Sequence, residues 1–384
     1  MTGGLPGGSA VLVTHPSASL YGSDRMLVEA VRGMVAAGLR PVLAVPERGP
    51  LVQAVEQLGV PVVVCSSPVL RRSGLSVRGM ARLLLRAAAD AVRGSALLRR
   101  TRPSAVYVST ITTPLWVLLA RLHRVPVLVH VHEAEGHAPR LLQQVMALPL
   151  LAATGVVVNS RFTQEVLARS FPSLRQRSTV VLNGVEGPAV PVARPAAAQR
   201  PVRLLYVGRL SERKGPHVAL EAVELLVRQG VDVRLDLVGD AHVDNAAYAE
   251  RLRERARPLE HDGVVTFHGF AGDVWPALAG CDVLLVPATQ PESFGNTAVE
   301  GVLAGRPVIA SDLGGLPEAL AGYAGARVVP AGDAAALADA VRSVVADLPA
   351  LTAAAGQDAV AAAARHRPAA YQGAVADAVL ALSR

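Results

Sequence analysis

Arg203-Leu204-Leu205-Tyr206-Val207-Gly208-Arg209-Leu210-Ser211-Glu212-Arg213-Lys214-Gly215-Pro216 is the stretch on which the fold of this chain turns. Residues 203–207 form a short apolar run, the composition of a buried strand. Gly208 lets the backbone turn sharply behind it, and Pro216 suits the first turn of a following helix. Strand, tight loop and helix make half of a βαβ unit. The same succession extends on both sides. Downstream, strands are expected at 203–207, 233–238, 264–268, 283–287, 307–311 and 326–329, with helices at 216–229, 246–257, 274–278, 296–304, 316–320 and 334–345. Upstream, strands are expected at 10–14, 41–45, 60–65, 105–109, 126–131 and 155–159, separated by helices such as 25–37 and 51–58. Such alternation predicts an α/β protein with parallel sheets covered by helices on both faces.

Residues 187–201 interrupt the pattern with Pro and Ala and no apolar period, which reads as a linker. The expected organisation is a domain over residues 1–190, a linker over 191–200 and a second domain over 201–367. The final helix, within 368–384, is expected to rejoin the first domain. Open parallel sheets bind ligands beyond the carboxyl ends of their strands, so a cleft between the two domains is the expected site.

Composition narrows the function. With 51% apolar and 18% charged residues over 384 positions, the chain can bury two cores. Aromatics make up only 3%, which argues against stacking on single-stranded nucleic acid; no nucleic-acid partner is expected. The net charge of +7 is almost entirely arginine. It fits compositional bias and solubility as well as an anionic substrate or membrane surface. Cys65 and Cys281 lie far apart, so neither a disulfide framework nor metal-ligand spacing is present, and a reducing cytoplasm is expected. The first ten residues lack the features of a signal peptide. The longest apolar stretch, 145–158, falls short of the roughly 20 residues that span a bilayer.

Two motifs carry chemistry. In the opening stretch, Arg209 and Lys214 project from a strand-to-helix loop, where an anion would sit. Alone, they read equally as two solvated surface cations. The second motif is Pro291-Glu292-Ser293-Phe294-Gly295-Asn296-Thr297-Ala298-Val299-Glu300-Gly301. A helix opening near Gly295 would offer its first amides and its dipole to a phosphate. Glu292 before the helix and Glu300 within it could accept hydrogen bonds from sugar hydroxyls. An isolated pair of acids on a capped surface helix would look the same.

Together these motifs resemble glycosyltransferase family four, the large retaining family with the GT-B fold of two Rossmann-like domains facing a cleft. The resemblance rests on Glu292 and Glu300 spaced as Glu-x7-Glu, with Gly208-Arg209 and Lys214 before them. It extends to Asn159-Ser160, Leu182-Asn183-Gly184-Val185, Gly239, Phe267-His268-Gly269, Ala304-Gly305-Arg306-Pro307 and Gly314-Gly315 with Glu318. It is strongest over 203–318 and looser before residue 150. It implies transfer of a hexose-type sugar from a nucleotide diphosphate sugar, with Arg209 and Lys214 holding the diphosphate in place of a metal. No cofactor or metal is then needed. Gly208, Gly239, Phe270, Glu292, Phe294, Gly295, Asn296, Thr297 and Glu300 would complete the donor site. Glu300 would take the ribose, and residues 264–270 would lie near the base.

In the first domain, Tyr21-Gly22-Ser23-Asp24-Arg25 follows the first strand. Gly22 resembles the family's glycine-rich loop near the donor phosphates, although the family often has two adjacent glycines here. Ser23 as a simple helix cap is the alternative. Val129-His130-Val131-His132-Glu133 ends a strand, and the resemblance gives His132 a place close to the donor sugar as a hydrogen-bonding residue. Residues 71–102 hold nine arginines against one acid, Asp90. Arg78, Arg82 and Arg86 recur every four residues, so this arm reads either as a solvated helix face or as a basic amphipathic helix on an anionic membrane. The acceptor, which could be membrane-associated, is not named by the sequence.

Three rivals share the α/β pattern. A nicotinamide dehydrogenase needs Gly-x-Gly-x-x-Gly after its first strand, and the glycines here precede that strand. A sugar-nucleotide epimerase of the same fold would not need an acceptor. A non-catalytic nucleotide-sugar-binding subunit would not need Arg209, Lys214, Glu292 and Glu300 together.

Overall fold

The structure is a computed structural model. It describes residues 9–20, 22–69, 77–133, 136, 139–188, 201–241 and 243–382, with the backbone alone for 77–86 and 243. The sequence-derived linker at 191–200, Tyr21, and the side chains of Arg71, Arg72, Arg78, Arg82 and Arg86 lie outside the described residues.

The fold is α/β with two open parallel sheets. The first contains β1 (Ala10–Thr14), β2 (Arg40–Val45), β3 (Val62–Val64), β4 (Ala105–Val108), β5 (Val127–Val131), β6 (Gly155–Val158) and β7 (Ser178–Val180). Their spatial order is β3-β2-β1-β4-β5-β6-β7. The second contains β8 (Val202–Val207), β9 (Val233–Val238), β10 (Val265–Gly269), β11 (Val283–Val286), β12 (Val308–Ser311) and β13 (Ala326–Val329), in the order β10-β9-β8-β11-β12-β13. In each sheet the order reverses beside the first strand, between β1 and β4 and between β8 and β11. That reversal opens a crevice at the carboxyl ends of the strands.

The chain separates into two compact units. One takes the described residues up to Gly184 together with those from Pro368 onward, and the other takes Val185–Arg367. Central strands such as β4, β5 and β11 are buried at every position, as apolar runs between two helical layers must be. The closing helix Pro368–Leu382 lies on helix Gly22–Ala36. Tyr371 donates to the Met26 carbonyl (3.0 Å), and Gln372 donates to Glu29 Oε2 (2.6 Å).

Several elements are longer or more numerous than the sequence suggests. Helix Ala246–His261 runs through Pro258, beyond the expected end at 257. Its last turn survives because the Asp262 N–H still reaches the Pro258 carbonyl (3.1 Å). Strand β7 is only three residues, Ser-Thr-Val, too short to show a period. Helix Leu348–Arg365 is mostly alanine, so its buried and exposed faces differ little in hydropathy. The apolar stretch 145–158 breaks into a helix end, the 3-10 turn Leu148–Ala152 and β6. Among the described residues no helix is long and apolar enough to cross a membrane.

Candidate functional site

In the second unit the loops after β8 and β11 are tied to each other. The loop after β8 carries a 3-10 turn, Glu212–Lys214, and ends at Gly215 with φ +71°. A Cβ at Gly215 would lie 1.9 Å from the Pro287 carbonyl oxygen, so only glycine allows the approach. Thr289, on the loop after β11, donates its N–H to the Arg213 carbonyl (3.0 Å) and its hydroxyl to the Glu212 carbonyl (2.7 Å). From below, the buried Tyr206 hydroxyl donates to the Arg209 carbonyl (2.7 Å). Behind the second loop, the Gly315 N–H donates to the Glu292 carbonyl (2.7 Å).

These contacts bring Lys214 and Glu292 together. Lys214 Nζ donates to Glu292 Oε2 at 2.8 Å. Arg213 Nη1 lies 3.2 Å from Glu292 Oε1, outside hydrogen-bond geometry, and donates to the Pro291 carbonyl instead (3.2 Å). Glu292 is 8% exposed. Burial alone would raise its carboxyl pKa. The Lys214 and Arg213 cations, with a smaller contribution from Arg209, outweigh burial and hold it below the ordinary carboxylate value. Three cations therefore act on one carboxylate, a surplus of positive charge suited to a polyanion.

The remaining expected donor residues lie at the same end of the second sheet or on the helix behind the loop. Gly208, Gly239 and Gly269 end the adjacent strands β8, β9 and β10. The Gly208 N–H donates to the Val238 carbonyl (2.9 Å), and the Gly239 N–H to the Gly269 carbonyl (2.7 Å). At Gly239 a Cβ would come within 1.9 Å of the Gly208 carbonyl oxygen. The strand ends thus present bare backbone, and Phe270 beyond them is 63% exposed. Helix Asn296–Leu303 opens directly after Gly295, with Asn296, Thr297 and Glu300 half-buried. Phe294 differs from its neighbours. Its ring is buried edge-on against His366 at 5.6 Å, so only its backbone can serve a ligand.

In the first unit, Gly22 is the first residue of helix Gly22–Ala36, which puts Ser23 inside the helix rather than at its cap. His132 directly follows β5 and is 7% exposed. Neither of its ring nitrogens has a hydrogen-bond partner among the described residues. Burial, reinforced by His15, pushes its pKa down to about 3 against the opposing pull of Asp24, so the imidazole is neutral at pH 7. His130 stacks on it at 4.0 Å and bonds Tyr107 through Nδ1 (2.7 Å). Beside them, His15 links Ser109 (2.5 Å) and Asp24 (2.6 Å), all three buried. Glu133 hydrogen-bonds neutral groups and also feels the charge of nearby His15. It accepts from the Thr110 hydroxyl (2.6 Å) and the backbone N–H groups of Ile111 (3.4 Å) and His132 (3.3 Å). Burial raises its pKa, and these hydrogen bonds together with His15 offset that only in part.

Sequence reasoning passed over Arg213, His15 and Asp24. His15 and Asp24 are nine residues apart and carry no motif of their own. A stronger signal was available for the second unit: Lys214 is the single lysine among 38 basic residues. In a chain that otherwise uses arginine throughout, that one exception falls on the partner of Glu292.

Both units are similar to known proteins. Residues 21–186 match the family model described as Glycosyltransferase Family 4, and residues 201–347 match that of Glycosyl transferases group 1. The 2-deoxystreptamine glucosyltransferase of Streptomyces kanamyceticus is 30% identical over 284 residues, covering 65% of this chain and 70% of that protein. A glycogen synthase of Mycobacterium tuberculosis is 29% identical over 243 residues, 60% of this chain, and the chain spans 57% of that relative's length. HepE of Anabaena, solved with UDP-glucose, superposes with a TM-score of 0.79 at 20% identity, over 97% of this chain and 100% of that one. With its two open parallel sheets and these relatives, the chain belongs to glycosyltransferase family four.

Proposed function

We propose that the enzyme moves a hexose-type sugar from a nucleotide diphosphate sugar to a glycan, lipid-linked or small-molecule acceptor, with retention of the anomeric configuration and without a metal ion. The observation that carries this reading is the grouping of Arg213 and Lys214 on Glu292, with Arg209 on the same loop, at the carboxyl end of the second sheet. A departing nucleoside diphosphate gains negative charge as the glycosidic bond breaks. Cations already fixed by loop contacts stabilise that charge without reorganising. Glu292, held as a carboxylate, orients Lys214 and accepts hydrogen bonds from the sugar. The first amides of helix Asn296–Leu303 hold phosphate oxygens, Glu300 takes the ribose, and the base lies along Phe270. The two curated relatives described above are named for glucosyl transfer and glycogen synthesis, and HepE was solved with UDP-glucose, which supports a sugar nucleotide as donor.

On this reading His132 is a hydrogen-bonding residue for the sugar. Its neutral imidazole suits that role, and no general base is assigned. The acceptor's proton passes to the leaving phosphate oxygen in a front-face displacement, so no covalent sugar–enzyme intermediate forms. The arginine arm at 71–102 gives the enzyme a peripheral place at an anionic membrane, consistent with a role in cell-envelope polysaccharide.

A thermal-shift screen of nucleotide diphosphate sugars identifies the donor, because a ligand bound only to the folded state raises the melting temperature. With that donor, Lys214→Ala and Glu292→Ala each lower turnover by roughly a hundred- to a thousandfold, the cost of losing a preorganised charge-stabilising group, while circular dichroism stays native. Near-normal turnover in the double variant would remove the assigned site.

A further inference from the structure

Three strand ends of the first unit are tied together by one set of buried polar contacts. β1, β4 and β5 are neighbours in the sheet, and His15, Ser109 and His132 are the residues that follow them. His15 reaches in two directions. Its Nε2 lies 2.6 Å from Asp24 Oδ1, in the first turn of helix Gly22–Ala36, and its Nδ1 lies 2.5 Å from the Ser109 hydroxyl. A carboxylate only accepts, so Nε2 carries its hydrogen toward Asp24, and Nδ1 is the nitrogen presented to Ser109. Ser17 donates to the same Asp24 oxygen (3.2 Å). The next residue, Thr110, serves the other neighbour. Its hydroxyl donates to Glu133 Oε1 (2.6 Å), and Glu133 Oε2 accepts from the N–H groups of Ile111 (3.4 Å) and His132 (3.3 Å). An unbroken path thus runs from Asp24 through His15, Ser109, Thr110 and Glu133 to the backbone of His132.

Stability does not account for this path. Asp24, His15 and Ser109 are 3%, 6% and 1% exposed, and a buried polar pair is often no more stabilising than apolar side chains of the same size. The path ends on His132, whose ring rests on His130 at 4.0 Å and offers both nitrogens without a partner among the described residues. Misplacing a group at a reacting centre by about 1 Å can cost roughly a hundredfold in rate. A ring that is stacked but not hydrogen-bonded depends on its backbone for that precision. We propose that His15, oriented by Asp24, is a positioning residue for sugar transfer: it holds the corner Ser109–Thr110, and through Glu133 that corner fixes His132. In this role neither His15 nor Asp24 touches a reacting atom. The proposal rests on the reading of His132 as a hydrogen-bonding residue for the sugar.

Two variants of the whole protein interrupt the path at little cost in packing. Ser109→Ala removes a single oxygen. His15→Phe with Asp24→Leu replaces both partners by apolar groups of similar shape, an exchange that can be nearly neutral for stability. The probe is whichever of UDP-glucose, UDP-N-acetylglucosamine and GDP-mannose gives the largest thermal shift, with release of its nucleoside diphosphate in water as the measure of turnover. Each variant binds free UDP or GDP like the parent and keeps a native circular dichroism spectrum, yet its kcat falls roughly tenfold or more. In a His132→Ala background the same changes cost less than about twofold, because the path acts through that ring. A merely structural network would lower turnover equally in both backgrounds. The proposal is overturned by parental kcat in both variants, or by a loss repeated in full beside His132→Ala. Parental turnover in His132→Ala itself would remove the reading of His132 and the proposal with it. A slow His132→Ala beside parental path variants would remove the proposal alone.

Discussion

Glu292 and Glu133 are the same side chain in opposite electrical surroundings. Each follows a parallel strand and is buried (Glu292) or partly buried (Glu133), and burial raises the pKa of both. Around Glu292 stand Lys214, Arg213 and Arg209, and the net shift is downward. Around Glu133 stand a threonine hydroxyl, backbone N–H groups and, less closely, His15; these do not outweigh burial, and the net shift is upward. The second unit thus surrounds Glu292 with fixed cations, while the first surrounds Glu133 mainly with neutral hydrogen-bonding groups, beside the neutral ring of His132. A pyrophosphate needs the former. An uncharged sugar or acceptor hydroxyl needs only the latter.

Removing the charge at Glu292 should produce the largest effect. Glu292→Gln keeps the shape but leaves Lys214 and Arg213 without their counter-ion. Turnover should fall by roughly a hundredfold or more, about 3 kcal/mol of transition-state stabilisation. Combining it with Lys214→Met should cost much less than the sum of the two single changes, because the residues act as a pair. Fully additive losses in steady-state assays would mean that the 2.8 Å contact is not functional. The pair also has a pH signature. The carboxyl of Glu292 is held below its unfolded value, so its contribution to stability is complete above the unfolded carboxylate pKa, about 4.3. That contribution is lost as pH falls through the lowered folded value.

The loop contact behind that pair comes next. Gly215→Ala would force a methyl group into the Pro287 carbonyl oxygen and a side chain onto a backbone at φ +71°. The variant should lose about 2–4 kcal/mol of stability in urea titration. Its donor-induced thermal shift should shrink as the loops after β8 and β11 separate. Parental stability would mean that the two loops are not held together through this glycine.

Legibility in the sequence follows the same division. The second unit advertised itself. Gly208, Gly215 and Gly239 are glycines for steric reasons, and their spacing is written directly in the chain. Lys214 and Glu292 are 78 residues apart, but each sits in a motif that follows a strand. The first unit offered less. His15, Asp24, Ser109 and His132 meet only because β1, β4 and β5 lie side by side, and none of the four is unusual in its local context. Helix Leu348–Arg365 was hidden by its alanine content. Side-chain pattern reveals steric and electrostatic necessity within a segment. It does not reveal which strand ends become neighbours or which helix faces stay uncovered.

His132 supplies the third test. Its folded pKa of about 3 lies below an unfolded value of about 6.5. The folded state therefore binds fewer protons than the unfolded chain between those two values. Stability from the neutral ring is complete above about pH 6.5 and is lost as pH falls toward 3, with a slope of up to about 1.4 kcal/mol per pH unit. His132→Phe should flatten this part of the stability-versus-pH curve in chemical denaturation. An unchanged slope would show that the ring is not held neutral in the folded protein.

Glu133→Gln should have the smallest effect, and its sign is the sharpest check on the comparison. A carboxyl whose folded pKa lies above its unfolded value stabilises most at low pH, where it is protonated in both states. Stability is then lost as pH rises from the unfolded value through the folded one. Glutamine cannot ionise, yet it still presents an oxygen to the Thr110 hydroxyl and the Ile111 N–H. The variant should therefore match the parent near pH 4 and equal or slightly exceed it at pH 7, by less than about 1 kcal/mol. The corresponding change at Glu292 should do the reverse, costing stability at pH 7 and little in acid. If both glutamine variants lost stability at pH 7 to the same extent, the two carboxylates would be equivalent, and the contrast between a cation-held Glu292 and a hydrogen-bonded Glu133 would fail.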